Sequence, residues 1–231
     1  MRVSIPRVLS VALLLLPVIV LAGPKKSEAG VGAYEALGIK TGKVLTGTVL
    51  RARVVPNATD KQVVSIVTYL TGRNSKSDAV NVRFGVFQAA GERLVAIHTA
   101  DLGEIAGGHV GAGDLQLLDL DQDGTNEVIV FYDDFSDELI TQRQAVVYFH
   151  EDGAFVPRWQ GPVEYDATRK VRDLADERRD RFVREIDLAN TMRTRGVTLF
   201  FDKRVTAIAG ETLAQPKTVQ ETFPLRPKPQ R

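Results

Sequence analysis

The chain has 231 residues, of which 44% are hydrophobic and 26% are charged, with a formal net charge of +1 and no cysteine. These values are typical of a globular protein and exclude an intrinsically disordered chain. A near-neutral chain without a basic block lacks the electrostatic footprint of a nucleic-acid-binding protein. The absence of cysteine excludes disulfides, thiol catalysis and zinc–thiolate sites.

The first 22 residues have the order of a secretory signal peptide. Arg2 and Arg7 give a positive start, Val8 to Ala22 is an uncharged and mostly apolar run, and Gly23 follows. That run has 15 residues, whereas a spanning helix needs about 20. We therefore predict cleavage after Ala22, an exported protein that is periplasmic or secreted, and no membrane insertion afterwards; an uncleaved anchor is the alternative. The lack of cysteine favours a bacterial envelope or secreted protein.

Residues 23–42 are rich in Gly, Lys and Ala with little periodicity, which predicts a linker. A single mainly β domain is predicted over 43–222, because short β-branched and aromatic runs alternate with Gly, Asn and Asp. We expect antiparallel β-units, arranged like propeller blades or as a sandwich. The predicted strands are Val44–Val55, Val63–Leu70, Val80–Gln88, Arg93–His98, Leu115–Leu118, Val128–Tyr132, Ala145–Phe149, Ala154–Trp159 and Val197–Val205.

Two of these stretches, 63–98 and 127–159, share landmarks at an offset of 62 residues. Phe87 corresponds to Phe149 and the turn residue Gly91 to Gly153. A recurring strand–loop–strand–turn–strand pattern predicts a repeated β-unit, although separate antiparallel hairpins also look alike.

One segment near 167–185 departs from this pattern, because its apolar residues have helical spacing and its other face is heavily charged. It predicts an amphipathic helix. Over 182–195 the pattern fits a helix and a strand equally well. The last residues, 223–231, contain three prolines and are predicted to form an extended tail.

The chemically specific feature is the loop Asp119-Leu-Asp-Gln-Asp-Gly-Thr-Asn-Glu127. Asp119, Asp121 and Asp123 alternate, and Gly124 follows where the chain must turn sharply. Thr125 offers a backbone carbonyl, and Glu127 supplies a fourth carboxylate. Because calcium takes six to eight oxygen ligands from a tightly turned stretch, we predict a calcium site formed by these residues: Asp119, Asp121, Asp123, Thr125 and Glu127. The alternative is a solvated acidic turn.

An EF-hand would need a bidentate Glu at loop position twelve, and that position is Val130 in a strand-like run. An acid at position nine followed at once by an apolar strand resembles the calcium loops of FG-GAP and VCBS repeats, the propeller blades of integrin-like proteins. The resemblance covers about residues 113–159 and implies a blade-like hairpin that binds calcium. Glu127 departs from the usual Asp of that pattern. This chain also has one such loop, whereas integrin-like propellers carry several.

We therefore expect an exported, calcium-stabilised β module with a binding or structural role, rather than an enzyme. Its partner, a protein or a saccharide, does not follow from the sequence. The alternative is an envelope hydrolase for saccharide or peptide that uses a pair of carboxylates, which would require a deep pocket with convergent acids.

Overall fold

The computed structural model describes residues 28–40, 43–71, 80–103, 110–137, 140–168 and 180–225. The prediction of a signal peptide over 1–22 lies outside these residues. In chain order the elements are α1 (Glu28–Ala36), β1 (Val44–Ala52), β2 (Gln62–Leu70), β3 (Val80–Ala90), β4 (Arg93–Asp101), β5 (Val110–Leu118), β6 (Glu127–Asp134), β7 (Thr141–Glu151), β8 (Ala154–Asp166), β9 (Arg181–Ile186), α2 (Leu188–Arg193), β10 (Thr198–Ile208) and β11 (Glu211–Pro224). Neither helix within these ranges has the length and apolar character to span a bilayer.

The strands form two antiparallel sheets. Sheet A has the order β1-β2-β3-β4, and sheet B has the order β11-β10-β9-β8-β7-β6-β5. Every pairing among these strands joins two that follow one another in the chain, so both sheets are built as meanders. The prediction of a mainly β protein made of antiparallel units is confirmed.

The two sheets face each other across a shared core, and side-chain alternation along β2 shows how it is organised. Val64 and Ile66 point towards sheet B, where they pack with Val128 and Val130 of β6. The intervening residues of β2, such as Val67, point the other way and pack under α1. Because residues one apart on a strand face opposite sides, β2 is buried on both faces.

Sheet B also has a core on its second face. Ile129 of β6 and Val147 of β7 pack there against Leu199 and Phe201 of β10. Since β10 belongs to the same sheet, sheet B curls so that its C-terminal strands cover the face that sheet A leaves open. Trp159 joins this core, with its ring centroid 4.7 Å from that of Phe201.

Three sequence predictions need correction. The described part of the predicted 23–42 linker is not a loose arm, because it contains α1 and the buried residues Leu37 and Ile39. The predicted tail at 223–231 begins too early: Phe223 ends in β11 and contacts Trp159, and Leu225 is buried. The predicted helix near 167–185 is wrong at its C-terminal end, where residues 181–186 form β9.

Residues 169–179 of that predicted helix lie outside the described residues. The ambiguous stretch after Phe182 divides into a strand and a short helix. Asp187 separates them, and its side chain accepts a hydrogen bond from the Asn190 backbone N–H, as an N-cap residue does.

The two similar stretches, 63–98 and 127–159, both form three-stranded meanders, β2–β3–β4 and β6–β7–β8. Their two-residue hairpins join Ala90 to Arg93 and Glu151 to Ala154. These pairs align at an offset of 61, one less than the offset of the aromatic landmarks, so Gly91 and Gly153 occupy different turn positions. The shared topology is consistent with the repeat prediction, but the glycine alignment is off by one residue.

Candidate metal site

The predicted calcium loop connects β5 to β6. Leu118 and Glu127 face each other as the last pair of the β5–β6 ladder, so residues 119–126 form the connection. Two residues in it have left-handed backbone conformations, Gln122 with φ 62° and Gly124 with φ 87°. Glycine accepts such a φ without steric cost, which accounts for Gly124 at the sharp turn.

Three of the predicted ligands come together. Asp119, Asp121 and Glu127 each offer a carboxylate oxygen, and these oxygens all lie within 4.8 Å of one another. Calcium binds oxygen at 2.3–2.6 Å, so two ligands on opposite sides of one ion are separated by up to about 5 Å. The donor set and its spacing therefore fit a calcium ion.

Glu127 lies deepest of the three. Only 4% of the residue's surface is exposed. Its Oε2 accepts a hydrogen bond of 2.6 Å from the Leu120 backbone N–H. The pKa of Glu127 is raised to about 8, mainly by burial; the hydrogen bond from Leu120 lowers it, and the negative charges of Asp121 and Asp123 add to the rise. A bound cation stabilises a buried carboxylate among like charges more than it stabilises an exposed carboxylate.

Asp119 organises the turn itself. Its Oδ1 accepts a hydrogen bond from the Asp123 N–H at 3.1 Å, and its Oδ2 accepts one from the Gly124 N–H at 3.0 Å. These bonds hold the backbone in a tight loop with the carboxylate of Asp119 at its centre.

The remaining two predicted ligands are not part of the three-carboxylate cluster. Asp123 is exposed, and its Oδ1 accepts a hydrogen bond of 2.7 Å from the Thr125 N–H. Thr125 is buried, with 6% of its surface exposed. Ligation by Asp123 and by the Thr125 carbonyl therefore stays a prediction.

The loop is attached to sheet A. Asn126 donates hydrogen bonds from its backbone N–H at 2.8 Å and from its Nδ2 at 3.1 Å to the carbonyl oxygen of Arg53, which follows β1. Leu120, inside the loop, is buried in the second core of sheet B. The loop therefore links the two sheets.

A third attachment comes from the turn after α2. A Cβ placed on Gly196 would lie 3.1 Å from the Asp121 Cβ, so the Gly196 backbone packs directly against this predicted ligand. Gly196 has φ 63°, which is typical of a glycine that ends a helix. No sequence pattern singled out Gly196, and nothing local in the sequence places it beside Asp121.

The neighbouring acids have other roles. Asp133 pairs with Arg143 at 2.9 Å. The buried Asp134 accepts hydrogen bonds from the Ser136 N–H and the Gln142 Nε2. Both are accounted for by structural contacts outside the loop.

No protein-family model, curated protein or solved structure matches this chain.

Proposed function

We propose that this chain is an exported calcium-binding β module, stabilised by its metal, with a binding or structural role in the bacterial envelope or secreted space. The observation that carries the proposal is the convergence of Asp119, Asp121 and Glu127 in one tight, partly buried loop. Asp123 and the Thr125 carbonyl would complete the shell with water.

Calcium suits the donor set better than other common metals. The ligands are hard oxygens without nitrogen or sulfur, which favours calcium or magnesium over zinc or copper. Magnesium demands near-ideal octahedral geometry and keeps several waters, whereas calcium accepts irregular protein cages. A loop that combines carboxylates with a backbone carbonyl therefore favours calcium.

The metal's expected role is to fix the loop that joins three parts of the fold. Asn126 links the loop to sheet A through Arg53, and Gly196 packs on Asp121. Calcium that binds the folded chain alone stabilises it by about 2.7 kcal/mol when free calcium is a hundred times Kd. The folded state of such a module is therefore most stable where the calcium concentration is high.

The resemblance of residues 113–159 to FG-GAP and VCBS repeats belongs to the same proposal. It is supported by the way the loop leads directly into the apolar strand β6, whose residues Val128, Ile129 and Val130 are all buried.

Export is supported by the order of residues in the first 22 positions. The proposal expects a mature chain that begins at Gly23, since signal peptidases cleave after small residues. Sequencing the amino terminus of the protein from its native host tests this, and an intact Met1 on the isolated protein would count against it.

The hydrolase alternative gains no specific support in the described ranges. The acid there whose pKa is raised is Glu127. It is the first residue of β6 and does not line the groove of sheet B described below. In a carboxylate hydrolase, an acid with a raised pKa would line such a groove.

Thermal melting of two isosteric variants tests the function. Asp121→Asn keeps the shape of a ligand and removes its charge, so it should abolish the rise in melting temperature that calcium produces. Asp202→Asn removes one charge from an exposed position on β10 and should keep the wild-type response. An equal calcium response in both variants would contradict the proposal.

A further inference from the structure

A groove lies on the second face of sheet B, away from the calcium loop residues. Its volume is about 400 Å³, within the range of ligand clefts. One wall is formed by β6, β7 and β8, with Phe131, Arg143 and Val163, and the other by β9 and the start of α2, with Ile186 and Leu188.

The groove has an apolar lining that extends to its rim. Val163 is buried and Phe131 is half-buried at the bottom. Val183 and Leu188 are 42% and 38% exposed, so they stand where a ligand would cover them. Exposed apolar side chains that border polar ones are typical of interaction surfaces.

The two arginines of the groove are already neutralised. Arg143 pairs with Asp133 at 2.9 Å, and Arg184 pairs with Glu221 at 2.6 Å. Glu221 also binds Lys203 at 3.1 Å. Each guanidinium of the groove therefore already has a carboxylate partner, and Glu221 is shared between Arg184 and Lys203.

Two carboxylates of the lining, Glu164 and Glu185, have no ion-pair or hydrogen-bond partner among the residues that the structure describes. Both are exposed. Glu164 faces Val183 across the β8–β9 ladder, so Glu185 is its diagonal neighbour on the same face. Both side chains line the groove, so a basic group that enters it meets both carboxylates.

We propose that this groove binds a segment of a partner polypeptide in which a lysine or arginine is flanked by apolar residues. The basic side chain lies between Glu164 and Glu185, and the flanking residues cover Phe131, Val183 and Leu188. Charge complementarity selects a cation, because the acids of the groove are unpaired and its arginines are paired. The exposed apolar rim favours a peptide over a small amine, which would leave that rim in water.

The binding does not depend on calcium, because the groove and the metal loop have no residue in common. Glu127 and Phe131 do face the same side of β6, four residues apart, which corresponds to about 13 Å along a strand. The two proposals can therefore fail separately.

The test uses the full chain and two peptides, acetyl-Leu-Lys-Leu-amide and acetyl-Leu-Glu-Leu-amide, with binding measured by chemical-shift changes in the ¹⁵N-labelled protein. We expect the lysine peptide to bind at least tenfold more tightly than the glutamate peptide, with shifts on β8, β9 and α2. n-Butylamine, as a small cation, should bind at least tenfold more weakly than the lysine peptide.

The double variant Glu164→Gln/Glu185→Gln should weaken lysine-peptide binding at least tenfold. The control Glu92→Gln/Glu211→Gln removes the same charge from an exposed turn residue and from the exposed first residue of β11, and it should bind like the wild type. Asp121→Asn should also bind like the wild type, which separates this proposal from the calcium site. Absence of binding, equal binding of the two peptides, or equal losses in both double variants would overturn the proposal.

Discussion

Replacing Gly196 by alanine tests whether the turn after α2 holds Asp121 in position. Gly196 has φ 63°, and an alanine in the left-handed region costs about 1–2 kcal/mol. Its new Cβ would lie 3.1 Å from the Asp121 Cβ and 3.4 Å from the Asp121 Cα and N. Such crowding costs a further 1–3 kcal/mol, roughly, in a packed region, and it moves Asp121.

Gly38 provides a matched control, because it follows α1, has φ 73° and has no atom within 4 Å of a new Cβ. In chelator, Gly38→Ala should lose about 1–2 kcal/mol of unfolding free energy, and Gly196→Ala should lose about 1–3 kcal/mol more than that. Gly38→Ala should also keep the full calcium-dependent gain, whereas Gly196→Ala should lose most of it. The measurement is urea denaturation with chelator and with 10 mM calcium, where about 10 mM exceeds the range of extracellular sites. Equal stabilities and equal calcium gains in the two variants would refute the reasoning.

Two further predictions concern the buried carboxyl group and the second core. Burial raises the pKa of Glu127 to about 8, so above about pH 4.5 the unfolded chain releases a proton that the folded chain keeps. In chelator, the unfolding free energy of the wild type should fall by about 1.4 kcal/mol per pH unit, or about 3 kcal/mol by pH 7. Glu127→Gln should lack this fall. Parallel pH profiles of the wild type and Glu127→Gln would contradict the prediction. Phe201→Ala removes a fully buried ring and should cost about 3–5 kcal/mol in urea denaturation; Leu45→Ala, at a position 50% exposed, should cost under about 1 kcal/mol.

The strands that the sequence predicts well are those whose side chains alternate or are buried on both faces. Val128 to Tyr132 forms an apolar run because β6 is covered by a core on each side. β11 was missed because nearly all of it is exposed and it contains Pro216 and Pro224. Its conformation is set by pairing with β10, which no local pattern reveals.

Helix α1 was missed for a similar reason. Its sequence, rich in Gly and Ala, has weak periodicity, and glycine disfavours a helix interior. Ala33 packs under sheet A, as do Leu37 and Ile39 in the segment that follows. Tertiary packing therefore stabilises a segment whose local propensity is low.

The clustering of carboxylates in the proposed calcium loop could be predicted because the proposed ligands lie within nine consecutive residues. Their alternation and the following glycine are local features, and the structure brings Asp119, Asp121 and Glu127 together as expected. The contacts that hold the loop in place are not local, since Arg53 lies 73 residues from Asn126. Only the folded chain brings those partners together.

Calorimetric titration of the purified chain with calcium measures whether residues 119–127 bind the metal. We expect one calcium ion per chain, with Kd in the range of about 0.1–1 mM that is typical of extracellular modules. We also expect loss of that binding in Asp121→Asn and its retention in Asp202→Asn. Absence of binding heat, together with the same melting temperature in chelator and in 10 mM calcium, about ten times the upper end of that range, would contradict the account and identify residues 119–127 as an acidic turn.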